Sequence, residues 1–515
     1  MQAKTGDSVI VDTKDKKLNG ILMPVPESEK DIVILKLESG YNIGIDKKNV
    51  KAIKLVKSHV EKKQKPAEIK TDKKLPTISI LHTGGTIASK VDYKTGAVSA
   101  KFSPSEIIDM FPELKNIANI KSRKIASMQS EMMRFVHYNL MAKEIEKEIK
   151  SGTDGIIITH GTDTMHYTSA ALTFILEDLP VPVILVGSQR SSDRGSSDAG
   201  LNLISACYFI ANSDFADVAI CMHENMSDES CLILPALKTR KMHTSRRDAF
   251  RAINTTPIAR VNFNDNNISF MKKDYNKKSD KKLKLSLFNE KIKVGLIKTH
   301  TNMFAEEFLA YKNFDGLVIE GTGLGHLPNE EIDEYTKENK KIFTTLKDMI
   351  KNGLIAVMSS QAIYGRLQMN VYTPMRELQE IGVLGHLSDM TAETTFIKLA
   401  WLLSNYKKEE VKGLITKNLK GEISERIEDK TFLSWKMQYI LDLLNKIKWD
   451  KKENPDDYSI AHFDRISNKK ENIKYNKIKK IDRGFIIVEK EDKEVNIPLH
   501  RIREVKKKGV VVWKR

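Results

Sequence analysis

Two threonines and a lysine are the residues of this chain best suited to chemistry. Thr162 lies in Thr159-His160-Gly161-Thr162-Asp163-Thr164-Met165, directly after the apolar β-forming run Ile156-Ile157-Ile158. Thr86 lies in His82-Thr83-Gly84-Gly85-Thr86-Ile87, directly after Ile78-Ser79-Ile80-Leu81. A buried strand that stops at Gly-Thr leaves a hydroxyl at its C-terminal end, the edge of an open α/β sheet where ligands bind. Gly85 and Gly161 allow the backbone to approach a small substrate closely. Amide hydrolysis by a hydroxyl needs a nucleophile, a base for its proton and donors for the oxyanion. Asp163 adjoins Thr162, but a carboxylate alone is a poor base for an alcohol. A lysine withdrawn from water serves better, because desolvation lowers its pKa towards neutrality. Lys241, inside Arg240-Lys241-Met242-His243-Thr244-Ser245-Arg246-Arg247-Asp248, is the candidate. It would activate Thr162 while Asp163 orients it. Spacing alone does not bring the three together, and most lysines in polar loops are surface lysines.

The elements that must position these residues follow from patterning. Residues 76–330 alternate strand-like and helix-like stretches, with strands at Ile78–Leu81, Gly155–Ile158, Val183–Val186, Val218–Cys221, Val294–Ile297 and Leu317–Ile319. That order predicts an α/β fold with a mostly parallel, doubly wound sheet. A helix is expected over Tyr138–Lys150, with Leu140, Ile145 and Ile149 on one face. A strand at Leu354–Met358 and an amphipathic helix near Ala392–Leu403 continue the pattern into a second, smaller unit. The expected divisions are a small SH3-like β-barrel over 1–56, a charged linker over 57–75, α/β domains over 76–290 and 291–428, and a basic α+β module over 432–515.

Composition bounds the rest. A chain of 515 residues is too long for one core. With 40% hydrophobic and 30% charged residues it reads as globular, not disordered. No apolar run reaches the roughly 18 residues of a membrane span, and Met1–Asp7 has no secretory apolar stretch. Cys207, Cys221 and Cys231 lack Cys-x-x-Cys spacing, so a reducing cytoplasm without a zinc site is expected. Of the net charge of +17, residues 441–515 hold 21 Lys and Arg against 13 Asp and Glu, a surplus of 8. Such a surplus suits RNA as well as a solvated lysine-rich face. Gly84-Gly85 lacks the Walker pattern, and Gly321-Thr322-Gly323-Leu324-Gly325-His326 reads as a turn at a strand end. His82 and His160 read as structural histidines, with His160 also a candidate to line the site.

Together, the stretches at 82–89, 159–165 and 240–250 resemble the L-asparaginase fold. They are most similar to the D subunit of the archaeal-type glutamyl-tRNA(Gln) amidotransferase, the glutaminase of that complex. Gly20–Pro24, Gly40–Ile45, Ser188-Gln189-Arg190-Ser191-Ser192-Asp193-Arg194 and Arg240–Asp248 set this family apart from free asparaginases, and the match covers about residues 1–425. By this resemblance Thr86 is a first nucleophilic threonine, and Thr162, Asp163 and Lys241 form a Thr-Asp-Lys set. Tyr93 is the lid tyrosine that assists Thr86. Ser130 and Glu131 grip the substrate's α-amino and α-carboxyl groups, with Gln129 as the alternative register. Glu131 stands where free asparaginases carry glutamine.

The resemblance implies glutamine as substrate, no cofactor in this chain, and ammonia transfer to a partner subunit that uses ATP and Mg²⁺ on glutamyl-tRNA(Gln). It also implies a homodimeric core within a heterotetramer. Residues 435–515, with Asn445–Asp450, His462-Phe463-Asp464-Arg465 and Ile497-Pro498-Leu499-His500-Arg501-Ile502, resemble a small archaeal family associated with RNA repair. Chains of the amidotransferase family generally end before such a module. His462, Arg465, His500 and Arg501 suit phosphate contacts there. The competing expectations are a stand-alone asparaginase or glutaminase and an RNA-binding scaffold with an inactive hydrolase core.

Overall fold

The structure is a computed structural model of the chain. It describes residues 3–25, 31–37, 42–58, 71–85, 89–91, 98–100, 104–190, 197–427, 440–450, 453–464, 469–482, 485–490 and 493–514. The chain divides into two compact units, Met1–Glu428 and Asp429–Arg515.

The first unit opens with a five-stranded antiparallel sheet. In its Ser8–Thr13 strand the alternate residues Val9, Val11 and Thr13 turn inward, as a strand with one buried face requires. Next comes an eight-stranded sheet. Its strands run Asn119–Lys124, Thr77–His82, Gly155–Thr159, Val183–Val186, Val218–His223, Cys231–Pro235, Ala259–Asn262 and Asn267–Phe270 across the sheet. The first five pair in parallel. Gly155–Thr159 and Val183–Val186 are buried along their whole length, which is why they read as continuous apolar runs. Ile156 and Ile158 join the core on one face with helices Phe135–Lys150 and Met165–Ile175. Ile157 joins the core on the other face with helix Ala199–Ala211.

Most pairings are parallel, as expected, but the sheet is mixed: its last three strands pair antiparallel. Residues 224–230, which connect Val218–His223 to Cys231–Pro235, are too few for a crossover helix, so the chain must turn straight back. Helix Phe135–Lys150 buries Tyr138, Met141, Ala142 and Ile145, while Leu140 is exposed. Leu140 and Ile145 are five residues apart, about 140° around a helix, so they cannot share a face.

A three-stranded parallel sheet follows, made of Val294–Lys298, Gly316–Gly321 and Ile355–Ser360. Helix Ala392–Asn405 packs on it and on helix Met165–Ile175. It is buried at nearly every position from Ala392 to Leu402, not on one stripe as an amphipathic helix would be. Gly316 gives it room: a Cβ there would lie 2.8 Å from Leu399. Two elements crowd this helix, so its polar residues need internal partners. Lys398 pairs with Glu422 at 2.7 Å, both side chains fully buried. Lys398 also donates to the carbonyls of Ile415 (2.9 Å) and Lys417 (2.5 Å).

The second unit packs helix Ile440–Trp449 with a four-stranded and a three-stranded antiparallel sheet. Ile440, Leu444, Ile460, Ile486, Ile502 and Val505 lie in its core. The strands Lys469–Lys474 and Ile502–Lys507 escape a reading by apolar runs, because charged residues occupy most of their positions. Among the described residues, no helix is long and apolar enough to cross a membrane.

Removing one member of the Lys398–Glu422 pair strands a charge in the core. Glu422→Gln is expected to lower unfolding free energy by about 3–5 kcal/mol, whereas Lys398→Met with Glu422→Leu costs far less. Urea denaturation of the two variants checks this.

Candidate active site

Strands Thr77–His82 and Gly155–Thr159 run side by side with His82 opposite Thr159. The residues after them therefore leave the same sheet edge together. Thr83 donates to the Thr159 carbonyl from both its N–H (3.2 Å) and its hydroxyl (2.9 Å). Beyond it the backbones nearly touch. Gly85 has φ +81°, and a Cβ there would lie 2.5 Å from the Gly161 nitrogen. Gly84 has φ +122°, and a Cβ there would lie 2.3 Å from the Met128 carbonyl oxygen. Only glycine satisfies both the conformation and the space. On its other side Gly161 meets Ser130, whose Oγ would sit 2.9 Å from a Cβ at 161.

Ser130 is buried in the short turn Ser130–Met132, and its carbonyl accepts from Thr164 Oγ1 at 2.7 Å. Gln129 and Glu131, on either side of it, are both exposed. Ser130 is thus the residue that packs against Gly161. Thr86 and Tyr93 lie outside the described residues.

Lys241 arrives from a separate two-stranded hairpin, Thr239–Lys241 with Phe250–Ala252. Its Nζ lies 2.8 Å from Thr162 Oγ1 and donates to Asp163 Oδ1 at 2.8 Å. The lysine side chain is 10% exposed and the aspartate 70%. A nearly dry amine thus meets a hydroxyl on one side and a solvated carboxylate on the other. This arrangement allows proton transfer between Nζ and Oγ1, with Asp163 aligning the amine.

The hairpin is held by charges that patterning does not single out. Lys238, at its root, pairs with Asp389 at 2.6 Å. Arg240 pairs with Glu393 at 2.9 Å, with His166 3.9 Å from the same oxygen. Burial disfavours the Glu393 charge, yet His166 and Arg240 prevail and hold its carboxyl down at about 2. In the hairpin loop, Asp248 pairs with Arg246 (2.8 Å) and Arg251 (2.6 Å).

The two histidines of the strand ends are structural. His82 bonds Thr159 Oγ1 and Ser122 Oγ, each at 2.8 Å. His160 bonds the Gly161 carbonyl (2.6 Å) and Thr168 Oγ1 (2.9 Å). Burial pushes both imidazoles down to about 4, so both are neutral at pH 7. In the second unit the suggested phosphate contact His462 is instead buried, opposite Glu471 on the neighbouring strand. Arg501 is half-buried, and Arg465 lies outside the described residues. Among the described residues no group of three His, Cys, Asp or Glu side chains could hold a metal ion.

Fold and site together define an asparaginase-type chain. Residues 77–275 match the Asparaginase, N-terminal family model, and 293–414 match the Glutaminase/Asparaginase C-terminal domain. Residues 3–56 match the GatD N-terminal domain, and 437–515 match the MJ1316 RNA cyclic group end recognition domain. The thermostable L-asparaginase of Thermococcus kodakarensis is similar at 28% identity and TM-score 0.58, over 68% of this chain and 99% of that one. The D subunit of glutamyl-tRNA(Gln) amidotransferase from Pyrococcus furiosus is 43% identical, over 82% of this chain and 95% of that one. Its counterpart from Methanococcus vannielii is 41% identical, over 82% and 99%. The chain belongs to the family of glutamyl-tRNA(Gln) amidotransferase D subunits.

The Glu393 charge carries a pH signature. Its carboxyl titrates near 2 when folded, against 4.5 ordinarily. Its contribution is therefore complete above pH 4.5 and is lost as pH falls from there through 2. At 1.36 kcal/mol per pKa unit it is worth on the order of 3 kcal/mol. Glu393→Gln is expected to be less stable than the wild type at pH 7 by that order, with the gap closing towards pH 2. Urea titrations at the two pH values measure it.

Proposed function

We propose that this chain is the glutamine-hydrolysing subunit of a tRNA-dependent amidotransferase. The observation that carries this reading is the contact of Lys241 Nζ with both Thr162 Oγ1 and Asp163 Oδ1, each 2.8 Å away, beside a glycine-lined strand edge. A threonine hydroxyl, of Thr162 or Thr86, adds to the side-chain amide carbon of glutamine. Lys241 takes the proton from Thr162 and returns it to the departing nitrogen. Backbone N–H groups of the glycine-rich strand ends hold the oxyanion. The carbon–nitrogen bond breaks, ammonia leaves, and a glutamyl ester remains on the threonine. Water then cleaves the ester, releasing glutamate and restoring the hydroxyl.

Gly85 and Gly161 line the bound amide, while Ser130 and Glu131 hold the α-amino and α-carboxyl groups. Tyr93 assists Thr86. Ammonia passes to a partner subunit, which uses ATP and Mg²⁺ to activate glutamyl-tRNA(Gln). The assembly is a heterotetramer on a homodimeric core and works in the cytoplasm. The basic 437–515 module adds an RNA contact. Its charge surplus and its match to an RNA-end recognition family support that role.

The test is ammonia release from glutamine and asparagine, first by the chain alone and then with the partner subunit and glutamyl-tRNA(Gln). Low basal release that prefers glutamine and rises on both additions is expected. High release indifferent to the additions would make the chain a stand-alone amidohydrolase. Lys241→Ala is expected to lower the rate by about 10²–10⁴-fold, and unchanged release would remove Lys241 from the chemistry. Deleting residues 437–515, a compact unit with its own core, is expected to weaken tRNA binding and flatten its salt dependence. Filter binding across a salt series measures both.

A further inference from the structure

The reactive pair has no common backbone: Thr162 rides on the large sheet and Lys241 on the hairpin. A line of polar side chains joins the two from behind. It starts at Gly187, where a Cβ would lie 2.7 Å from the Thr162 methyl. The Gly187 carbonyl accepts from Asn202 Nδ2 at 3.0 Å, and the same amide reaches Asp198 Oδ2 at 3.3 Å. Asp198 is fully buried and also accepts from the N–H groups of Gln189 (3.0 Å) and Arg190 (3.0 Å). The other end of the Asn202 amide, Oδ1, lies 2.6 Å from His223 Nδ1. His223 Nε2 lies 3.3 Å from Asp228 Oδ1, which Arg247 Nη1 reaches at 2.5 Å. Arg247 belongs to the loop of the Lys241 hairpin and also donates to the Met226 carbonyl.

We propose that His223 is a positioning residue that locks the Lys241 hairpin to the sheet edge carrying Thr162, through the chain Gly187–Asn202–His223–Asp228–Arg247. Its consequence for turnover rests on the glutaminase reading above; the mechanical coupling does not.

The directions of the hydrogen bonds assign the proton state. Asn202 Nδ2 faces two acceptors, the Gly187 carbonyl and the Asp198 carboxylate, so Oδ1 must face His223. Nδ1 therefore carries hydrogen. Nε2 faces a carboxylate, so it carries hydrogen too, and the imidazolium is the form that satisfies both contacts. The Cys231 thiol, 3.9 Å from Nδ1, and the Asp198 carboxylate are the other titratable groups around the ring, with Arg247 the cation beyond Asp228. Burial works against the charge, but Cys231, Asp228 and Asp198 outweigh it and raise the His223 pKa. The lock is therefore closed below that pKa and loosens as pH rises through it.

His223→Gln, Arg247→Gln and the double variant test this. By hydrogen exchange, amides of residues 242–249 are expected to open about tenfold faster in each single variant, and the double variant to open no faster than either single one, as a shared link requires. The amides of Thr77–His82 and Gly155–Thr159 should not change. In ammonia release, each single variant should lose about tenfold in kcat with KM nearly constant, since misplacing a catalytic group acts on the rate and not on binding. The wild type is expected to lose kcat as pH rises through the His223 pKa, and this fall should vanish in His223→Gln. Unchanged exchange in 242–249, or additive effects in the double variant, would overturn the proposal. If the wild type releases no ammonia, the glutaminase reading falls while the exchange data still decide the lock. Asp228→Asn, at an exposed position, replaces His223→Gln should the latter not fold.

Discussion

Two parallel strand ends that touch backbone to backbone set the geometry of this site. Gly85 approaches Gly161 so closely that no β-carbon fits at position 85, and Gly161 is in turn closed off by Ser130. The approach follows from the parallel register of His82 with Thr159, which releases both turns at one level of the sheet. Any side chain at position 85 would push the turns apart and move Thr162 with them, because Thr162 follows Gly161 directly. The hydrogen bonds from Thr83 to the Thr159 carbonyl tie the two strand ends at the last possible residue. The rigidity of the edge is thus inherited from a fully buried sheet, where the backbone has no water to exchange with.

Around this edge the protein uses buried charge to set position. Lys238 with Asp389, Arg240 with Glu393, and Lys398 with Glu422 are each close pairs with at least one side chain almost fully enclosed. Such pairs contribute little net stability compared with apolar packing, because desolvation offsets most of the attraction. They do penalise every arrangement in which the partners are separated. Glu393 lies at the start of helix Ala392–Asn405, and Arg240 precedes Lys241, so the helix that joins the two α/β sheets also anchors the hairpin that carries the lysine.

Much of this is legible in the sequence where one local signal suffices. Ile156-Ile157-Ile158 ending at Gly-Thr-Asp marks a buried strand and its functional end, and the structure places Thr162 and Asp163 there. Lys241 is different. Its partner Thr162 is 79 residues away, and nothing local separates it from a surface lysine. A familiar motif singles it out, and only the fold supplies the contact. The antiparallel end of the sheet is harder to read: Ala259–Asn262 and Asn267–Phe270 are short and only partly buried, and the short span 224–230 is the one local mark of the turn back. The chain Asn202–His223–Asp228–Arg247 escapes a sequence reading for another reason. Each member is a single polar residue in an otherwise ordinary element, and their kinship exists only in space. His462 shows the converse: a histidine in a basic module invites a phosphate, yet the strand alternation turns it inward.

The division of labour between sheet and hairpin has a physical logic. A two-stranded hairpin is marginal on its own, whereas a parallel sheet covered on both faces is among the most rigid scaffolds a chain can form. Placing the hydroxyl on the rigid element and the amine on the marginal one makes their distance depend on whatever secures the hairpin. A base must be close enough to take a proton, and misplacement by about 1 Å already costs orders of magnitude in rate. The ion pairs at the hairpin root and the polar line through His223 therefore bear on the distance between Lys241 and Thr162. Under the proposed glutaminase reading, small shifts in this weakly built arm would change the rate while the glycine-lined sheet edge stays as it is.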